Sequence, residues 1–371
     1  MRIAIDARVL ERGMTGVGRY LQNFLDTIPQ VDSRNKYFLI GGKFEENDFY
    51  KKIKTKNPFL PDKIFSALYP HFILPFQLKK QKIDVYYNPN ISLPFFKIGR
   101  VKYISTVHDI MFLLNKSFFS FIYRNYMRML LPLVIRKADK ILTVSEYSRM
   151  DFLRHYDITE DKVEVVYSYA QSKFAQRYLE ASTRQHLRGK YNLPEKFILF
   201  VGAIENRKNI KCILDVADKL MEIEPDIKVV LAGKRRHCDF DPIAEFEKRK
   251  GSVFYLNSVN DEDLPFIYNM AFCFLFPTYY EGFGYPPLEA MQSGLPVITS
   301  NNSSLPEVVG SAGILVEPDD LNAIILAIIK LNSDPSFFKT ISEKGIVQAR
   351  KFNGLDSTKK LIKIITSLSA V

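Results

Sequence analysis

Short runs of apolar residues alternate along this chain with longer stretches in which apolar positions recur every three or four residues. The first pattern predicts buried strands and the second predicts amphipathic helices. RIAID (Arg2 to Asp6) is a first strand, and Leu21, Phe24, Leu25 and Ile28 then fall on one face of a helix. KYFLIGG, DVYYNPN and VKYISTVHDI read as further strands, and Ser117 to Lys140 reads as a long helix with a basic face, a core helix in preference to one touching a membrane. ILTVSEYSRMDFLRHY gives a strand, Ser145 as an N-cap and a helix, and VEVVYSYA gives one more strand. Residues 171–195 are polar and read as a linker with a short helix, which sets a domain boundary near Leu193-Pro194. The alternation then resumes with FILFVG, the helix NIKCILDVADKL, and the strands of DIKVVLAGKRRH and SVFYLNSVNDEDLPFIYNMA. Strands ending in polar residues, alternating with helices, define an α/β fold of open parallel sheets that bind ligands along their carboxyl edges.

The chemistry concentrates between Phe276 and Glu317. The strand AFCFLFP leads into a turn with two glycines, TYYEGFGY, and Pro286-Pro287 opens a helix. Proline suits that position, because its missing N–H has no intrahelical partner there and its φ is already set. The helix stops at Gly294, and the strand LPVITS follows. A strand, a glycine loop and a helix N-terminus together make an anion site. The amides of Gly282, Phe283 and Gly284 are expected to point outward, in front of the positive end of the helix. Glu281 lies before that helix and Glu289 is expected in its first turn, so the two reach opposite ends of one elongated ligand. Each glutamate alone equally fits a plainer role, as a dipole partner or a solvated loop acid. Arg207 and Lys208 are expected at the N-terminus of NIKCILDVADKL, where cations oppose the helix dipole by about 0.3–1 kcal/mol. An anion held between them and the helix would remove that conflict.

Two weaker signals come from the first half. Gly16 and Gly18 precede the first helix, but this GxG lacks the third glycine and the distant acid of a dinucleotide fingerprint. A tight β–α turn explains it equally well. His108-Asp109 ends a strand, where a histidine serves either as a structural residue or as a ligand contact.

E-G-F-G-x-x-x-x-E, from Glu281 to Glu289, is followed by SSLPEVVG and GILVEPDD. Together they resemble the donor-site signature of the family 4 retaining glycosyltransferases of the GT-B fold, and most of all the mannosyl- and rhamnosyltransferase-like members. T-G-V-G-R-Y, V-H-D-I and R-K-N recur in the same order as in that family. The resemblance implies two Rossmann-like parallel-sheet domains facing each other across a cleft. Residues 1–193 would form the acceptor side and 194–355 the sugar-nucleotide domain, with a closing helix of about 356–371 packing back on the first. It also implies roles. Arg207 and Lys208 would hold the diphosphate, Glu281 the donor sugar hydroxyls, Glu289 the ribose, and His108 the sugar from the opposite domain. Gly16 and Gly18 would face the phosphates, with Phe283, Gly284, Tyr285 and Val259 completing the donor site, Val259 beside the base. The chain departs from the pattern at Tyr167-Ser168, where relatives show Asn-Gly, at Asn257 in place of a glycine, and at Ala203 in place of a basic residue. It also has no tryptophan. The implied reaction moves a hexose, mannose from GDP-mannose, with retention, onto a lipid-linked saccharide in cell-surface polysaccharide synthesis. No metal and no cofactor beyond the sugar-nucleotide substrate is implied. A sugar-nucleotide epimerase on the same fold is the neighbouring reading.

Charge adds a partner. Residues 1–190 carry 32 Lys and Arg against 18 Asp and Glu, whereas the rest carry 20 against 23. The basic surplus therefore belongs to the first half, densest from Lys51 to Lys102 among aromatic and apolar residues. That mixture suits an anionic membrane face or a pyrophosphate-bearing acceptor. A non-enzymatic nucleic-acid binder is the rival reading, and the phosphate-cradling, charge-balanced second half counts against it. Arg2 to Leu10 reads as a strand and not as a signal peptide, and no apolar run is long enough to span a bilayer. The expected location is cytoplasmic, peripheral to the inner face of the membrane. Three widely spaced cysteines suggest no disulfide framework, and no Cys/His cluster has zinc spacing. Asp239-Phe240-Asp241 and Asp261-Glu262-Asp263 are D-x-D strings of a kind common by chance, so no metal is assigned.

Overall fold

The computed structural model describes residues 1–12, 15–42, 44, 46–55, 65, 68–114, 118–236 and 238–368. The chain divides into two compact units, residues 1–169 with 353–371, and residues 170–352.

The first unit is built on a seven-stranded sheet in the order β3-β2-β1-β4-β5-β6-β7. Its strands are β1 Arg2–Asp6, β2 Lys36–Ile40, β3 Tyr50–Ile53, β4 Val85–Asn88, β5 Lys102–Thr106, β6 Lys140–Thr143 and β7 Val163–Val165. All pair in parallel. Helices cover such a sheet on both faces, which is why β1, β4 and β5 are buried almost throughout instead of alternating. β3 was hidden in the basic stretch of the sequence. Tyr50 and Ile53 turn inward while Lys51 faces solvent, and lysine on an edge strand blocks unwanted pairing.

Helix Gly16–Val31 buries Tyr20, Leu21, Phe24, Leu25 and Ile28. It begins at Gly16, so Gly16 and Gly18 lie in its first turn and not ahead of it. Thr15 causes the early start, since its hydroxyl accepts the Gly18 amide at 3.1 Å as an N-cap. The long helix runs from Phe121 to Lys137 behind an Ser120 cap; Ser117 lies outside the described residues. Its inner face, Met127, Leu130, Leu131 and Val134, enters the core. The expected core helix is therefore only half right, because a second set of large apolar side chains faces outward.

The second unit holds a six-stranded parallel sheet in the order β10-β9-β8-β11-β12-β13. Its strands are β8 Lys196–Val201, β9 Ile227–Ala232, β10 Val253–Leu256, β11 Cys273–Phe276, β12 Val297–Ser300 and β13 Ile314–Val316. The unit starts at Ala170, well before the boundary expected at Leu193-Pro194. The polar segment taken for a linker is bound into it. Phe174 packs edge-on against Tyr268, with ring centroids 5.6 Å apart. The Gln171 carbonyl accepts from Gln292 at 3.0 Å, and Asn269 bonds both the Ala175 carbonyl and the Arg177 amide. Helix Ala181–Tyr191 is tied down by Lys190 and Tyr191, each 2.6 Å from Asp263.

The closing helix, Gly354–Ser367, returns to the first unit and lies against helix Gly16–Val31. Tyr169, whose hydroxyl donates to the Asn23 carbonyl at 2.6 Å, stands 3.4 Å from the Thr358 hydroxyl.

Candidate active site

In the second sheet the strand order reverses between β8 and β11. The connections leaving these two neighbours run to opposite sides, so their carboxyl ends open a crevice where α/β proteins bind ligands. The loop after β8 carries Arg207 and Lys208, and the loop after β11 carries Thr278 to Gly284.

Arg207 and Lys208 sit in a 3-10 turn, Asn206–Lys208, just ahead of helix Ile210–Ile223. Asn209 lies in the left-handed region at φ 52° and caps that helix by accepting the Cys212 amide. This sharp reversal aims both cations at the neighbouring loop. The Arg207 carbonyl accepts from the Tyr279 amide and the Thr278 hydroxyl, each at 2.9 Å. Arg207 Nη1 donates to the Tyr280 carbonyl and to Glu281 Oε1, each at 2.8 Å, while its other face pairs with Glu205. Lys208 Nζ donates to the same Glu281 oxygen and lies 4.6 Å from the centre of the Phe276 ring. The Thr278 hydroxyl donates to that oxygen at 3.2 Å.

Burial dominates the electrostatics. The Lys208 and Glu281 side chains are 7% and 12% exposed. Burial, helped by the charge of Arg207, pushes the Lys208 ammonium down to about 8 despite the pull of Glu281. Burial alone would raise Glu281, but Arg207 and Lys208 outweigh it and hold the carboxyl below its usual range. The result is a pair of cations held by two carboxylates, Glu281 shared between them and Glu205 on Arg207 alone.

The glycine loop is clamped from behind by the segment after β12. The Glu281 amide donates to Ser303 Oγ at 3.0 Å, and Ser304 Oγ donates to the Glu281 and Phe283 carbonyls at 2.9 and 2.6 Å. In a trans peptide the amide opposes the carbonyl, so Ser304 turns the Gly282 and Gly284 amides away from itself. Gly284 has φ 114°, and a Cβ there would lie 2.9 Å from Leu305 Cδ2, so only glycine fits. Neither serine was singled out from sequence, although both stand within the SSLPEVVG string.

The helix that follows is Tyr285–Gln292, which starts one residue before the proline pair. Glu289 is consequently in its second turn and not its first. It is buried, and Tyr268 donates to it at 3.0 Å, a partner no local pattern announces. Tyr285 is half-buried at the head of the helix, its ring 5.6 Å from that of the buried Phe283. Val259 is half-buried in the loop after β10.

The remaining predicted residues belong to the first unit. His108 follows β5, donates through Nε2 to the Pro89 carbonyl at 2.8 Å, and meets the Tyr20 ring edge-on at 4.9 Å. Burial holds it neutral, with its pKa lowered to about 4. At the reversal point of this sheet, between β1 and β4, sequence reading missed a polar cluster. Asp6 takes Arg8 through Nε at 2.9 Å and Nη2 at 2.6 Å, and Tyr86 donates to Asp6 at 2.8 Å.

The D-x-D acids have structural partners. Asp241 caps helix Pro242–Lys248, and Asp263 binds Lys190. Among the described residues no three acidic, His or Cys side chains are grouped to hold a metal ion.

The chain belongs to family 4 of the glycosyltransferases, and it is an enzyme of the hexosyltransferase class built on the GT-B fold. Residues 14–168 match the model of Glycosyltransferase Family 4, and residues 183–348 match that of Glycosyl transferases group 1. O-antigen chain mannosyltransferase B of Escherichia coli is 30% identical over 98% of this chain and 98% of its own length. Serotype-specific mannosyltransferase WbdA, also of Escherichia coli, is 31% identical over 72% of this chain, which spans 34% of that longer protein. Among solved structures, a sucrose-phosphate synthase from Thermosynechococcus elongatus superposes with a TM-score of 0.79 at 20% identity. That match covers 100% of this chain and 99% of the other.

Proposed function

We propose that this enzyme transfers mannose from GDP-mannose, with retention, to a lipid-linked saccharide during cell-surface polysaccharide synthesis, at the inner face of a membrane. The observation that carries the reading is the convergence of Arg207 and Lys208 on one oxygen of Glu281 at the reversal point of the second sheet. A sugar-nucleotide donor offers a diphosphate to the two cations and hydroxyls to the carboxylate. As the bond from the anomeric carbon to the diphosphate breaks, its electron pair stays on GDP. The acceptor hydroxyl oxygen bonds to that carbon on the face the diphosphate leaves, and its proton passes to the departing phosphate oxygen. Cations already fixed beside the leaving group stabilise the charge that develops there without reorganising. Glu289 is assigned to the ribose and His108 to the sugar, where the neutral imidazole offers Nδ1 as an acceptor. The choice of mannose is supported by the relatives named above.

The test is purified protein with a panel of sugar nucleotides, including GDP-mannose and UDP-glucose, and a lipid-linked saccharide primer. Mannose transfer giving an α-linked product supports the reading. Turnover with UDP-glucose alone, or a β-linked product, overturns the donor or the stereochemistry. Donor consumed to an isomer without acceptor would make the enzyme an epimerase.

A further inference from the structure

Helix Phe121–Lys137 is apolar on two sides. Its inner face fills the core through Met127, Leu130, Leu131 and Val134. On the outer side stand Ile122, Tyr126, Met129 and Leu133, spaced by four, three and four residues. At 100° per residue these four lie within about 60° of one another around the helix axis. Ile122 is 81% exposed, Met129 75% and Tyr126 55%, and Phe121 at the helix start is 70% exposed. Soluble domains rarely leave so many large apolar side chains of one element in water, and those that do use them to meet a partner or a membrane.

Charge and shape decide between these occupants. The helix carries Arg124, Arg128, Arg136 and Lys137 and not one acidic residue. Arg128 and Arg136 are exposed, one turn or less from the apolar stripe. Apolar side chains between unbalanced cations fit the boundary of acyl chains and anionic headgroups, where arginines reach up to phosphate. A second helix is the poorer occupant. Pro132 lies on the exposed side and interrupts the regular ridge that helix packing needs, whereas a fluid bilayer requires no such register. A further group of exposed aromatics in the same unit is Phe72 of helix Tyr69–Ile73, Phe95 whose ring lies 6.1 Å from it, and Phe76 of helix Leu74–Lys80, which also carries Lys79 and Lys80. Tyr69, Leu74 and Leu78 of those elements are buried in the same core cluster as the inner face of the long helix.

We propose that the outer face of helix Phe121–Lys137 docks on an anionic phospholipid bilayer. Ile122, Met129 and Phe121 enter the acyl boundary, and Arg128 and Arg136 bind headgroup phosphates. The inference rests on the membrane-side reading above for its purpose and names the surface that serves it.

The experiment is co-sedimentation of the full chain with vesicles of phosphatidylglycerol and phosphatidylethanolamine, against vesicles of phosphatidylcholine alone. The protein is expected to bind the anionic vesicles and to leave the neutral ones in solution. I122E/M129E should weaken anionic binding by at least about tenfold. R128E/R136E should weaken it by about fivefold or more per position. Both pairs are exposed, so their melting curves should match that of the parent. Transfer to a soluble saccharide acceptor should persist in both variants. Unchanged vesicle binding by I122E/M129E overturns the proposal. So does light scattering that shows a dimer which this variant dissociates, because the stripe would then be a protein interface. Vesicle binding without any glycosyl transfer would instead overturn the proposed function and leave this surface standing.

Discussion

Arg207 Nη1 donates to Glu281 Oε1 at 2.8 Å although the two residues are 74 positions apart in sequence. The bond joins the loops that leave β8 and β11, and Lys208 meets the same oxygen. Removing one partner from a buried charge cluster typically costs about 3–5 kcal/mol, because the remaining charge stays desolvated. Glu281→Ala should therefore lower Tm, and added GDP should raise it more in the variant than in the parent, since diphosphate replaces the missing anion. Transfer should fall by about 10²–10³-fold in Glu281→Ala and in Lys208→Ala. Calorimetry and initial rates check both effects, and normal turnover in the two variants removes the site from the reaction.

Lys208 gives the pH dependence a direction. Its folded pKa of about 8 lies below the ordinary 10.5. Between those values the unfolded chain binds the proton that the folded chain has lost, so this group's share of stability rises with pH across the window. Donor binding should move the opposite way, because the ammonium assigned to the diphosphate in the proposed function loses its charge above pH 8. The kcat/KM profile should show an alkaline fall near pH 8. Lys208→Arg should remove that fall even where its maximum is lower, since guanidinium stays charged.

His108 predicts an effect on the acid side. Its pKa of about 4 in the folded chain stands below the ordinary 6.5. As the pH falls from 6.5 to 4, the unfolded chain takes up a proton that the half-buried imidazole refuses, so stability from this position is progressively lost. His108→Gln should flatten the dependence of Tm on pH between 4 and 6.5. A parent and a variant with parallel Tm curves would mean that the imidazole is not held neutral by burial.

Gly284 separates backbone strain from crowding. Gly284→Ala forces a side chain into φ 114° and within 2.9 Å of Leu305 Cδ2. Strained positions of this kind cost about 1–3 kcal/mol. Adding Leu305→Ala removes the collision but not the strain and opens a cavity, so the double variant should recover neither stability nor GDP affinity. Thermal melts with and without GDP report both. Full recovery would show that crowding alone fixes glycine here.

The sequence made much of this arrangement legible, and the reasons are local. Buried parallel strands such as Phe197 to Val201 must be apolar throughout, and a helix that leaves a glycine loop is marked by its own prolines. Arg207, Lys208 and Glu281 were each found from the loops and helix starts they flank. The partners that place them were not. Tyr268 against Glu289, Ser304 behind the glycine loop and Tyr86 against Asp6 are chosen by strand order, which periodicity does not encode. The domain boundary was missed for a related reason. Residues 171–180, ahead of helix Ala181–Tyr191, look like linker because their backbone is bonded by distant side chains such as Asn269 and not by regular structure of their own.

The return of helix Gly354–Ser367 to the face of helix Gly16–Val31 has a consequence for biogenesis. Domains generally mature in the order in which they leave the ribosome, yet here the lobe synthesised first waits for a piece made after the other lobe is complete. Until residue 367 emerges, the face of helix Gly16–Val31 beside Tyr169 stays uncovered, and nascent chains stalled before that point should be open to proteases and chaperones along their earliest helix.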